Sequence, residues 1–243
     1  MFRKFAILAG ALCLSTPVLA QEADDHGISG VWFVQNPDQP LRPANGDALK
    51  LTAAGKARMA QNAAWTKAPP PPTKTDLTAC LPQPAPHLLT MRFPFRIAEK
   101  KMPGAGAVSD FVLFVFEHNH TFRFVYMNEA HKEAGDVLPS YAGNSVGRWD
   151  NGDLVVEDRH FIVGPSTMLD VTGLPMSEKL RVTERYKKRS DGGLDVTLTI
   201  DDSDMYDNVW EAKRTLIRKP GEDIVEYACG VGDLSTRETR SAP

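Results

Sequence analysis

Leu194-Asp195-Val196-Thr197-Leu198-Thr199-Ile200-Asp201 alternates aliphatic and polar side chains without a break. Successive side chains of an extended strand point to opposite faces, so this period of two predicts a strand with one face in a core and the other in water. Ser190-Asp191-Gly192-Gly193 just before it has the residues of a hairpin loop, and Leu180 to Tyr186 lies beyond that loop as the partner strand.

Outward from this hairpin the same reading continues. Strands are predicted at Phe111 to Phe116, at Thr121 to Tyr126, at Leu154 to Glu157 after the turn Asp150-Asn151-Gly152-Asp153, at Trp210 to Arg218 and at Ile224 to Cys229. Phe111 to Phe116 is apolar at every position, the pattern of a strand covered on both faces. About seven to nine antiparallel strands in residues 77–229 predict a mainly β fold, either a single lipocalin-like antiparallel β-barrel around a cavity or a sandwich.

Residues 21–76 read differently. Gly30-Val31-Trp32-Phe33 is a short candidate strand, and Leu51 to Trp65 is alanine-rich and predicts a helix with Thr52 as N-cap. Pro69 to Pro72 end it, and Thr66 to Asp76 becomes a stiff polyproline II connector. The organisation is thus a short N-terminal helical extension before the β-domain. Residues 230–243 are polar with mixed charge and read as a disordered tail.

Arg3 and Lys4 followed by the apolar run Phe5 to Leu14 and small residues up to Ala20 read as a signal peptide over residues 1–20, too short for a membrane span. The expected location is periplasmic or secreted. The net charge of −3 becomes −5 once Arg3 and Lys4 are removed, and no basic stripe is present, which excludes nucleic acid as the natural partner. Loss of the leader also removes Cys13 and leaves Cys80 and Cys229 as the remaining cysteines. In an oxidising compartment these predict one disulfide, with two separate buried thiols as the alternative; the bond would close a loop of roughly 150 residues and be worth about 4 to 5 kcal/mol in the chain-entropy model.

Strand periodicity also picks out charges on the apolar side. Glu184 shares a face with Leu180, Val182 and Tyr186, so it points inward, either as a titrating group in a cavity or as the partner of an inward arginine. Arg123 lies opposite Phe122, Phe124 and Tyr126: solvent-facing if the aromatics fill the core, an anchor for a substrate carboxylate if they pack elsewhere. His118 and His120 share a face if the chain is extended there, with His131 or His160 to complete a metal site, but a hairpin turn at Asn119 would separate them. Gly143-Asn144-Ser145-Val146-Gly147 spells a nucleophile elbow, yet lacks the helix that must follow, and no histidine comes after Asp170. Walker, dinucleotide and zinc-protease motifs are missing, so no cofactor and no metal are expected.

Cys80-Leu81-Pro82, Phe93-Pro94-Phe95, Gly143 to Trp149, Leu154-Val155-Val156-Glu157, Leu180 to Tyr186, Asp201-Asp202 with Tyr206 and Trp210, and Glu226-Tyr227-Ala228-Cys229 together resemble a large family of exported bacterial proteins, most without an assigned function. The resemblance spans Cys80 to Cys229 and implies that these two cysteines pair. Arg123, Tyr126, His131, Arg148, Glu157, Glu184 and Tyr186 fit the family pattern. Asn144, Met176, residues 128–130 and Lys132 depart from it, where the family has His or Tyr, His, Asp-Gly-Arg and Pro.

Two functions are compatible with these residues. The first is a cofactor-independent lyase or isomerase with decarboxylase-like proton transfer on a small aromatic or carboxylated compound. Glu184, Tyr186 and His131 are its catalytic candidates, with Arg123, Tyr126 and Arg148 binding the substrate; the comparison with barrel decarboxylases is one of architecture. The second is a lipocalin-like periplasmic binding protein for a small apolar ligand, without catalysis. The oligomeric state is open.

Overall fold

The computed structural model describes residues 26–67, 81–100 and 110–226. The predicted leader, the predicted proline connector from residue 68 on, both cysteines of the predicted disulfide, and the predicted tail lie outside the described residues.

Nine strands close into one barrel in sequence order. They are β1 (Gly30–Val34), β2 (Phe95–Lys100), β3 (Phe111–Phe116), β4 (Thr121–Met127), β5 (Asn144–Asp150), β6 (Asp153–Arg159), β7 (Arg181–Lys188), β8 (Leu194–Asp201) and β9 (Trp210–Ile217). The alternating strand predicted at residues 194–201 is β8, with Leu194, Val196, Leu198 and Ile200 buried. Its hairpin partner β7 pairs over its full length, from Arg181 opposite Asp201 to Lys188 opposite Leu194. β1 pairs with both β2 and β9, so the N-terminal extension contributes a wall strand. No strand forms at residues 224–226, where the sequence predicted one; that stretch instead crosses the outside of the barrel.

An antiparallel barrel was expected, and one pair departs from it. β4 and β5 run parallel, with Val125 opposite Ser145 and Met127 opposite Gly147. Strand direction must return to itself round a closed ring, so the number of antiparallel pairings is even and nine strands require at least one parallel pair. Parallel neighbours need a long return connection, which residues 128–143 supply. At the seam Gly147 faces inward, and a Cβ there would lie 2.6 Å from Val125 Cγ1 and 2.9 Å from Met127 Sδ.

The lumen is filled. Trp32, Phe95, Phe114, Leu154, Val156, Tyr186, Val196 and Leu198 form part of one continuous apolar cluster. A short helix, α2 (Ala85–Leu88), is buried along its whole length and contributes Leu88 to that core.

The predicted helix is α1 (Ala53–Lys67), shifted by two residues at each end from the reading of the sequence. Thr52 caps it as expected: its hydroxyl accepts from Gly55 N at 2.9 Å and donates to the Asp204 carbonyl at 2.6 Å. The helix lies against the loops after β6 and β8, where Asn62 Nδ2 donates to the Gly173 carbonyl at 3.0 Å. No helix among the described residues is long and apolar enough to cross a membrane.

Candidate functional site

Four adjacent strands each send one polar side chain to the same point inside the barrel. Arg123 comes from β4, Ser145 from β5, Asp158 from β6 and Glu184 from β7, with Tyr186 two residues further along β7 on the same face. Each is buried to 2% exposure or less.

The guanidinium of Arg123 organises them. Its Nη1 donates to Glu184 Oε2 at 2.8 Å, Nη2 to Asp158 Oδ2 at 2.6 Å, and Nε to Ser145 Oγ at 2.9 Å. Ser145 Oγ in turn donates to Asp158 Oδ1. Tyr186 OH donates to Glu184 Oε2 at 2.6 Å, and the Arg123 guanidinium carbon lies 5.2 Å from the centre of the Phe114 ring. Glu184 Oε1 has no hydrogen-bond partner among the described residues.

Two carboxyls against one guanidinium leave the cluster with a surplus negative charge if both ionise. Burial dominates at Asp158 and pushes its carboxyl up to about 7; Arg123 pulls the other way and Glu184 adds to the rise. Burial works against the charge on Arg123 too, but Asp158 and Glu184 outweigh it and hold the guanidinium well above its ordinary range. Burial and the neighbouring Glu184 raise the Tyr186 phenol far above 10.

Arg123 therefore points inward, and the aromatics on its strand point out. Phe122, Phe124 and Tyr126 are 57, 44 and 40% exposed, the reverse of what their hydrophobicity alone favours. The partners on the next three strands decide it: turning Arg123 out would leave Asp158 and Glu184 buried without a counter-charge.

The remaining candidates do not join this cluster. Tyr126 and Arg148 project from the outer face of the wall, where Arg148 Nη1 meets Glu157 Oε1 at 2.8 Å. His131 lies beside them, its Nε2 3.9 Å from Glu157 Oε2, and burial followed by Arg159 lowers its pKa. The catalytic set of Glu184, Tyr186 and His131 is thus split by the thickness of the sheet. Tyr126 and Arg148 are likewise separated from Arg123. The split follows from β4 and β5 presenting alternate residues to opposite faces.

His118 and His120 are in a tight turn with Asn119 at φ 52°, so the shared strand face that a metal site required does not form. Among the described residues no group of three His, Cys, Asp or Glu side chains could hold a metal ion. Ser145 sits within a strand rather than on an elbow.

Ser145 and Asp158 are the members of the cluster that the sequence reading missed. Asp158 continues the inward series Leu154, Val156, so the same period of two, carried one residue past Glu157, reaches it. A cleft of about 390 Å³, lined by Asn45, Asp47, Lys50, Trp210 and Glu211 among others, opens elsewhere and touches none of the cluster. No protein-family model matches the chain, and no curated protein matches it.

Proposed function

We propose that this chain is an exported binding protein, periplasmic or secreted, that holds a small aromatic or carboxylated compound without converting it. The observation that carries this reading is the closed interior: Arg123, Glu184 and Tyr186 bond to one another in a core with almost no exposed surface. A compound would instead meet the outer wall, where Tyr126 offers a ring face and Arg148 a guanidinium close to His131. Export is supported by the basic and apolar leader. The Cys80 to Cys229 disulfide is supported by what their neighbours touch: Leu81 O accepts from Asn119, and Val225 N donates to Glu117, two residues away.

One observation favours the lyase or isomerase reading, with Glu184 and Tyr186 as its acid-base groups and His131 left on the outer wall. It is the raised Asp158 carboxyl beside Glu184 and Tyr186, a group poised to exchange protons near neutrality. Substrate would need a path into the lumen.

Incubating the purified protein with a metabolite extract and weighing both before and after separates the two readings. Retention of an unchanged compound, lost on Arg148→Ala, supports the binding protein. Depletion of a compound with appearance of a new product overturns it in favour of the enzyme.

A further inference from the structure

Glu157 stands at the centre of an unfinished set of contacts on the outer wall. Its Oε1 is taken by Arg148 Nη1 at 2.8 Å, but its Oε2 lies 3.9 Å from both His131 Nε2 and Arg159 Nη2. Neither gap is a hydrogen bond. The two donors are also short of other partners: both ring nitrogens of His131 and the Nε of Arg159 are closed to water and have no hydrogen-bond partner among the described residues. The His131 side chain is only 8% exposed. Buried polar groups are nearly always paired, so this imidazole is an exception that calls for a missing partner.

The backbone holds these groups in place. Glu157 and Arg159 project from the outer side of β6, and the connection over residues 128–143 brings His131 to them, pinned where His160 Nε2 meets the Lys132 carbonyl at 3.0 Å. The side chains of Glu157 and Arg159 are 33 and 36% exposed, so the gap can be reached from outside. In the strand pairing Val146 lies between Glu157 and Tyr126, which places Tyr126 two strand spacings away, roughly 10 Å.

The group that completes the set follows from its valence. Glu157 Oε2 needs a proton donor, while Arg159 Nη2 and a His131 N–H each need an acceptor. A hydroxyl supplies one donor and two acceptor lone pairs. A carboxylate has no proton to give and would set its charge against that of Glu157. An ammonium has no lone pair for the two donors and would face the Arg159 charge.

We infer that this site takes the hydroxyl group of a hydroxylated aromatic compound, which donates to Glu157 Oε2, accepts from Arg159 Nη2 and His131 Nε2, and lays its ring over Val146 toward Tyr126. His131 Nε2, closed to water in the free protein, joins by a turn of the imidazole. The inference rests on the binding reading above and narrows its ligand from aromatic or carboxylated compounds to hydroxylated ones. Glu157 reads the ligand, and Arg148 holds Glu157 in position.

Titration of the exported full-length protein with phenol, anisole and benzoate, followed by ligand-observed NMR, tests it. Phenol is expected to bind about tenfold more tightly than benzoate and than anisole, which keeps the ring and the oxygen but lacks the proton. In Glu157→Ala, Arg148 and Arg159 lose their counter-charge, so the order reverses and benzoate binds ahead of phenol. Glu157→Gln keeps the shape and should shift the ratio in the same direction, which covers an alanine variant that melts early. His131→Ala keeps the Arg148 pair and should lower phenol affinity several-fold without the reversal. Equal binding of phenol and anisole, or Glu157 variants that still prefer phenol to benzoate, overturns the hydroxyl assignment and leaves the binding protein standing. Binding of none of the three overturns the assignment as well, and retention from the metabolite extract then decides the binding reading by itself.

Discussion

Arg123 Nη1 and Glu184 Oε2 are 2.8 Å apart inside the barrel although their strands, β4 and β7, are separated by two others. The contact lies inside the barrel, with Asp158 from β6 bound to the same guanidinium at 2.6 Å. It ties together elements that share no backbone hydrogen bond.

Removing one partner from this pair is expected to destabilise the fold strongly. Arg123→Met would leave two carboxyls without their cation and should cost about 3 to 5 kcal/mol. Glu184→Gln keeps the shape and should cost less, roughly 1 to 3 kcal/mol, because the amide retains a hydrogen-bond acceptor. Urea unfolding of both variants checks the order. A catalytic Glu184 gives a different result: turnover lost in the Gln variant with melting nearly unchanged.

The pH dependence of stability should run against the usual trend between weakly acidic and neutral pH. The folded Asp158 carboxyl is raised to about 7 from an ordinary 3.8, so across that interval the folded state holds a proton the unfolded chain has released. Its contribution is complete below about pH 4 and is lost as pH rises toward 7, with a slope of about 1.4 kcal/mol per pH unit. Asp191, held down at about 2 by Arg189, acts in the opposite direction at lower pH. A stability maximum on the acid side of neutrality follows. Denaturant midpoints measured from about pH 4 to about pH 8 test this, and Asp158→Asn should flatten the decline. Midpoints that climb steadily toward pH 8 would contradict it.

Gly147→Ala should weaken the parallel seam. The added methyl meets Val125 Cγ1 and Met127 Sδ inside normal contact distance, and overpacking of this kind costs about 1 to 3 kcal/mol. Gly152→Ala serves as a control: no atom lies within 4 Å of its Cβ position, and its φ of 86° carries only the backbone strain. Gly147 is not at a positive φ, so its loss of stability reports packing, whereas that of Gly152→Ala reports backbone strain.

Thiol labelling of exported protein under denaturing conditions should find no free cysteine, with Cys80 and Cys229 joined. Labelling of both would refute the pairing. Intact mass should begin the mature chain near Gln21, which tests the leader at the same time.

Much of this architecture can be read in the sequence because β7 and β8 bury one face and wet the other, and period two is unambiguous there. The inward position of Glu184 follows from the same alternation. Arg123 is harder: Phe122, Phe124 and Tyr126 argue for the opposite face, and the groups that overrule them, Ser145, Asp158 and Glu184, are 22 to 61 residues away. β3 is apolar on both sides, so its pattern could not set the register of its neighbour. The outer placement of Tyr126 and Arg148 follows by alternation from the inward placement of Arg123 and Ser145, which meet each other only across the β4–β5 seam and so are contained in no local window.

Ring closure also divides the barrel into two meanders, β1 to β4 and β5 to β9, each joined internally by antiparallel pairs of sequence neighbours. They meet at two short seams: three residue pairs between β4 and β5, and two between β1 and β9. Arg123 belongs to the first meander; Ser145, Asp158, Glu184 and Tyr186 belong to the second. Neither half can neutralise its buried charge alone. A slip of one residue at the β4 seam would swing Arg123 into water and press Phe122 or Phe124 against two carboxyls. The cluster thus works as a keyed bolt: a slipped alignment of the two halves leaves the bolt outside its socket.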